Sequence, residues 1–133
     1  MASQLKVDTI TGLTTAGSIS VTAEGNSTTT NLQQGLAKIW CNADQTGTVR
    51  DSLNISGITD GGTGDVTFTF SNATSNDDYA LTGSCRRAST NTEAFVFAIH
   101  TMATASCRAR HMYLGQTAYD HDHMCMNIHG DLA

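Results

Sequence analysis

The stretch from Ser52 to Phe70 constrains this chain most. It reads SLNISGITDGGTGDVTFTF, two runs of alternating polarity around Asp60-Gly61-Gly62-Thr63-Gly64. Three glycines and an aspartate within five residues supply the positive φ angles that a tight reversal needs. Val66, Phe68 and Phe70 alternate with Thr67 and Thr69, so the second strand has one apolar and one polar face. Leu53 and Ile55 keep the same rhythm ahead of the turn. Ile58 falls out of phase, as a bulge at Ser56-Gly57 produces. A hairpin of this kind seeds an antiparallel β-sandwich or small barrel.

The 133 residues are enough for one domain with an appended arm. Leu, Ile, Val and Phe together make up less than roughly a fifth of the chain, a level associated with disorder only when net charge is also high. Here the formal charge is only −5. Ser, Thr and 12 glycines fill the gap and favour short strands and turns over helices. A core so poor in large aliphatics is thin, and burying apolar surface between identical chains offsets that, so an oligomer is expected. The pI near 5.3 argues against a nucleic-acid binder. No run approaches a membrane span and the N-terminus lacks an apolar signal core, so assembly in the cytoplasm without membrane insertion is expected. Cys41, Cys85, Cys107 and Cys125 include no CxxC pair and read as free thiols serving as buried small hydrophobes.

Residues 1–25 read as an extended attachment arm. Leu5, Val7 and Ile10 alternate, Gly12 and Gly17 interrupt, and Ile19 and Val21 alternate again; each segment is too short to be stable unless another copy or a neighbouring protein pairs with it. Residues 26–39 read as a linker and short helix. Its cap residues lie in Asn26 to Asn31, and Leu32, Leu36 and Ile39 or Trp40 recur at helical spacing. Gly35 weakens that helix by about 1 kcal/mol. In a trimer its leucines form a central plug; alternatively it caps one end of the sandwich. Residues 40–133 read as the β-domain. It has strands at Tyr79 to Cys85, at Phe95 to His100 (buried and central), at Cys107 to Leu114 and at Met124 to His129. The fold class expected is all-β: a small antiparallel, jelly-roll-like sandwich with an N-terminal arm and one short helix.

His121 and His123, followed by Cys125 and His129, form the one cluster with metal-ligand character. On a strand they share a face opposite Met124, Met126 and Ile128, with the two imidazoles about 7 Å apart. A solvated polar face is the competing reading, and no cofactor is assigned. No nucleophile elbow, phosphate loop or His-Glu-x-x-His is present, and the aspartates sit in or beside turns, so no enzyme is expected.

The opening LKVDTITGLTTAGSISV resembles the start of marine bacteriophage tail-fibre-like proteins. NLQQGLAKIW, followed by the hairpin Arg50 to Asp65 (RDSLNISGITDGGTGD), resembles their C-terminal module, and MNIHGDLA resembles its last strand. Cys41 and Ala43 depart from the apolar or aromatic residues usual after the Trp, and the chain is short for a fibre. The resemblance implies a homotrimeric virion protein, held to another virion protein by its arm and recognising a bacterial surface glycan or protein. In that reading Leu5, Val7, Ile10, Leu32, Leu36 and Trp40 serve attachment or oligomer contacts. The contact loops are Ser71 to Asp78, Arg86 to Glu93 and Gly115 to Asp122, with Asn76, Asp77, Arg86, Arg87 and Tyr119 as candidate ligand contacts. A capsid decoration protein is the alternative, and a virion-borne depolymerase a third reading.

Overall fold

A computed structural model describes residues 4–12, 19–22, 29–87, 95–113 and 117–132. The chain divides into two units, Met1–Leu36 and Ala37–Ala133. In the first, β1 (Ser20–Thr22) pairs antiparallel with β2 (Thr29–Asn31), and α1 (Leu32–Gly35) follows. The Ile19–Val21 segment thus finds a partner within its own chain. The helix stops at Gly35, one turn long, because Ile39 and Trp40 belong to the first strand of the next unit. Leu5, Val7 and Ile10 are exposed, Leu5 at 81%. Gly17 and the cap residues Asn26 to Thr28 lie outside the described residues, as do 88–93 and 115–116 of the expected contact loops.

The second unit is a sandwich of two four-stranded antiparallel sheets. Its strands are β3 (Ile39–Ala43), β4 (Val49–Leu53), β5 (Ile55–Gly62), β6 (Asp65–Phe70), β7 (Ala80–Arg86), β8 (Phe95–Ala103), β9 (Ser106–Tyr113) and β10 (His123–His129). One sheet runs β4-β3-β10-β7 and the other β5-β6-β9-β8. Eight strands in two fours match a jelly roll in number, while sequence neighbours β3–β4, β5–β6 and β8–β9 pair within their own sheets. Alternation sets the core. Ile39, Cys41 and Ala43 of β3 and Met124, Met126 and Ile128 of β10 meet Val66, Phe68 and Phe70 of β6 and Cys107 and Ala109 of β9. Cys107 Sγ lies 3.6 Å from Met126 Sδ across the two sheets. Phe97 packs on the bare backbone of Gly83, where a Cβ would sit 2.6 Å from its ring.

The hairpin forms as expected between β5 and β6, with the bulge at Ile55/Gly57. Its turn is Thr63-Gly64, with Gly62 at φ 108° and Gly64 at φ 66°. Leu53 and Ile55 do not share one strand, however. Asn54 takes φ 60° and breaks the chain between sheets, so Leu53 pairs with Trp40 and Ile55 with Phe70. The break is held by Asn54 Nδ2 donating to the Asn72 carbonyl and by the Asn72 amide donating to Asn54 Oδ1. β8 is an edge strand and half-exposed, not central as its aromatic alternation suggests, because β9 alone borders it. All four cysteines are free; Cys41 and Cys107 are buried, but Cys125 is exposed on the outer face of β10. Among the described residues no helix is long and apolar enough to cross a membrane.

Candidate functional site at the far end of the sandwich

The registers give the second unit two distinct ends. Lys38 donates its amide to the Ile128 carbonyl where the chain enters, and the same end holds the 71–79 loop, the Thr104-Ala105 turn and Gly130. The opposite end carries the 44–48 turn, the 63–64 turn, Arg87 and the 117–122 segment. This far end is organised by Gln45, His111 and His121, buried polar residues at 2%, 0% and 2% exposure.

Gln45 leaves β3 in a turn whose Asp44 carboxylate accepts from Thr46 Oγ1 at 2.7 Å and from the Thr48 amide at 2.9 Å. Burial pushes the Asp44 carboxyl up, but these hydrogen bonds and Arg50 outweigh it and hold the group below its ordinary value. Gln45 Nε2 donates to the Asp65 carbonyl at 3.0 Å and towards the Gly62 carbonyl at 3.4 Å. With its NH₂ committed to two carbonyls, its Oε1 is the acceptor facing His111 Nδ1 at 3.0 Å. His111 Nδ1 therefore carries the hydrogen. Its Nε2 is then a lone pair with no hydrogen-bond partner among the described residues, and neither ring nitrogen of His121 has one either.

The two rings stand 5.3 Å apart at 80°, with Phe95 4.7 Å from His121 and Phe97 5.1 Å from His111. Backbone bonds bind the surrounding loops to the pair. The His111 amide donates to the Gly64 carbonyl, the Tyr119 amide to the His111 carbonyl and the Gln45 amide to the His121 carbonyl. The Gly64 amide donates to Asp120 Oδ1 at 2.8 Å. Burial lowers the His111 pKa to about 4, with the neighbouring His121 adding to the shift and Asp65 opposing it. Burial also lowers His121, aided by Arg87; Asp120, Asp122 and the nearby Tyr119 carbonyl oppose this, the carbonyl without meeting hydrogen-bond geometry.

Of the residues singled out in the sequence, Arg87 and Tyr119 come together here, the guanidinium 4.7 Å from the ring centroid. Arg86 is exposed nearby at the end of β7. Asn76 and Asp77 lie at the other end, where Asn76 closes a turn by accepting from Thr74 Oγ1 and the Asp78 amide. His121 and His123 do not share a face. β10 begins at His123, so strand alternation does not reach His121, which turns inward against His111 while His123 faces out. No group of three or more His, Cys, Asp or Glu able to hold a metal occurs among the described residues. A shallow depression of about 280 Å³ adjoins His121, lined also by Asp44, Thr46, Arg50, Asp120 and Asp122.

Neither a protein-family model, a curated protein nor a solved structure matches the chain. Sequence reasoning missed Gln45 and His111. His111 was within reach, since Cys107 and Ala109 set the inward phase of β9 and His111 continues it. Gln45 sits in a polar turn that gives no sign of burial.

Proposed function

We propose that this chain is a bacteriophage virion protein, a trimeric tail-fibre-like protein anchored through its N-terminal unit and presenting its far-end loops to the bacterial surface. The polarity of the β-domain carries this reading. The chain enters at one end, and a polar cluster with Arg87, Tyr119, Asp120, Asp122 and Arg50 occupies the other. Hydroxyl-rich glycans are the ligand class such amides, carboxylates, guanidinium and phenol suit. The exposed Leu5, Val7 and Ile10 suit an arm that docks on another protein.

The outer face of the β4-β3-β10-β7 sheet supports self-association. Trp40 stands there beside Leu53, itself 46% exposed, over a broad depression of about 540 Å³ reaching Thr82, Ser84 and Asn127. Native mass spectrometry of the full chain is the test. A mass three times 14.1 kDa is expected, shifting to one chain in Leu53→Asp with the monomer still folded. A monomer for the unsubstituted chain contradicts the trimer.

A further inference from the structure

We propose that the buried His111–His121 pair is a proton-operated latch, which holds the far-end loops closed while both imidazoles are neutral and releases them when the pair takes up a proton. This inference does not rest on the host-recognition reading. Its ground is position. The pair touches five segments at the far end: β9 through His111, β8 through Phe95 and Phe97, the 44–48 turn through Gln45, the 63–64 turn through the Gly64 carbonyl, and the 117–122 segment through His121 itself.

The surroundings accept a neutral pair and reject a charged one. A proton added at His111 Nε2 would point into a site with no acceptor for it among the described residues, 5.3 Å from a second imidazole. Phe95 and Phe97 bring no charge. From β6, Asp65 is turned to Arg108 and Arg110 on the outer face of its sheet. From the 117–122 segment, Asp120 is committed by one oxygen to the Gly64 amide, and Asp122 is exposed. From the other side come Arg87, which opposes protonation of His121, and Asp44 with Arg50 beside the depression. Among the described residues no carboxylate hydrogen-bonds either ring, so charging the pair favours conformations in which water reaches it.

The sign follows from binding. An imidazole held below its exposed value binds protons more tightly once released, so protons drive opening as pH falls from about 6.5. With His111 at about 4 in the closed state, one proton taken up between pH 7 and pH 4.5 shifts the opening equilibrium by about fifty-fold.

Hydrogen exchange of the full chain at pH 7 and pH 4.5, corrected for the intrinsic effect of pH on exchange, tests the latch. Protection is expected to fall more than ten-fold at 43–48, 61–65, 109–113 and 117–123, and to hold at 69–82 and 100–106. In the double variant His111→Gln/His121→Phe the difference between the two pH values should vanish. Should that variant not fold, ring-proton NMR titration of the unsubstituted protein decides: two imidazoles should titrate well below the exposed ones. Uniform loss of protection, no loss, or five histidines titrating together near 6.5 with the loops unchanged would overturn the proposal.

Discussion

Arg108 clasps Asp65 through two parallel hydrogen bonds, Nε to Oδ1 at 2.7 Å and Nη2 to Oδ2, from the strand next door. Arg110 Nε stands 3.5 Å from the same carboxylate. Asp65 opens β6 immediately after the Thr63-Gly64 turn, and its own carbonyl accepts from Gln45. One residue thus ties the hairpin turn to β9 on the outer face and to the buried polar hub on the inner side.

The hydrogen bond from Arg108 holds the Asp65 carboxyl below the ordinary carboxylate range, against the opposing effect of burial. A group depressed in the folded state contributes stability above its unfolded pKa near 3.9 and loses it as pH falls through the folded value. Arg108→Ala should therefore lower the melting temperature at pH 6 to 7, and the gap between variant and parent should close as pH falls below the ordinary carboxylate range. Calorimetric scans of the two proteins across that range read it directly. A gap independent of pH would assign the effect to packing of the arginine stem.

Histidine linkage acts in a different window. The His111 pKa of about 4 in the folded chain, against about 6.5 unfolded, makes its neutral form a stabilising feature above pH 6.5 that is lost as pH falls towards 4. Denaturant titrations should show on the order of 3 kcal/mol less stability at pH 4 than at pH 7 from this residue. His111→Gln should flatten that slope, even if the variant is less stable at neutral pH.

Gly64 has no room for a side chain. Its φ is 66°, and a Cβ would lie 2.5 Å from the His111 carbonyl oxygen and 2.9 Å from the Tyr119 nitrogen. Gly64→Ala is expected to cost about 1–3 kcal/mol and to loosen the 117–122 segment before the rest of the domain. Gly62→Ala shares the positive φ but meets nothing within 4 Å, so its loss should be smaller. Equal losses in denaturant titrations of the two would remove close approach as the cause.

Phe68 is fully buried between the sheets. Phe68→Ala should destabilise the domain by about 3–5 kcal/mol, through lost burial and the cavity left behind. A shift in denaturation midpoint with unchanged slope is the expected signature.

How far the residues disclosed this structure depends on whether a side chain's role was set by its own strand or by a distant one. The alternation of Val66, Phe68 and Phe70 fixes a buried face without knowledge of any partner, and the Met124, Met126 and Ile128 face follows the same rule. The Ser56-Gly57 bulge was legible because Ile58 breaks phase. The crossing at Asn54 was not, because Leu53 and Ile55 alternate equally well whether they share a strand or separate into two sheets. Phe95, Phe97 and Ile99 spell a buried strand, yet strand order is a tertiary choice, and β8 lies at an edge. That Arg87 and Tyr119 stack at one end of the domain while Asn76 and Asp77 lie at the other was not legible, because loop composition carries no direction. His121 lies two residues before the strand whose periodicity was applied to it, and there the rule has no force.

Cryo-electron microscopy of the particle that carries this chain, at a resolution that traces the backbone, tests the virion assignment most directly. Three copies around one axis at the tail are expected, each with Leu5, Val7 and Ile10 against a neighbouring protein and the 44–48, 63–64 and 117–122 segments pointing away from the particle. Copies distributed over the head, or far-end loops buried against another virion protein, would contradict it.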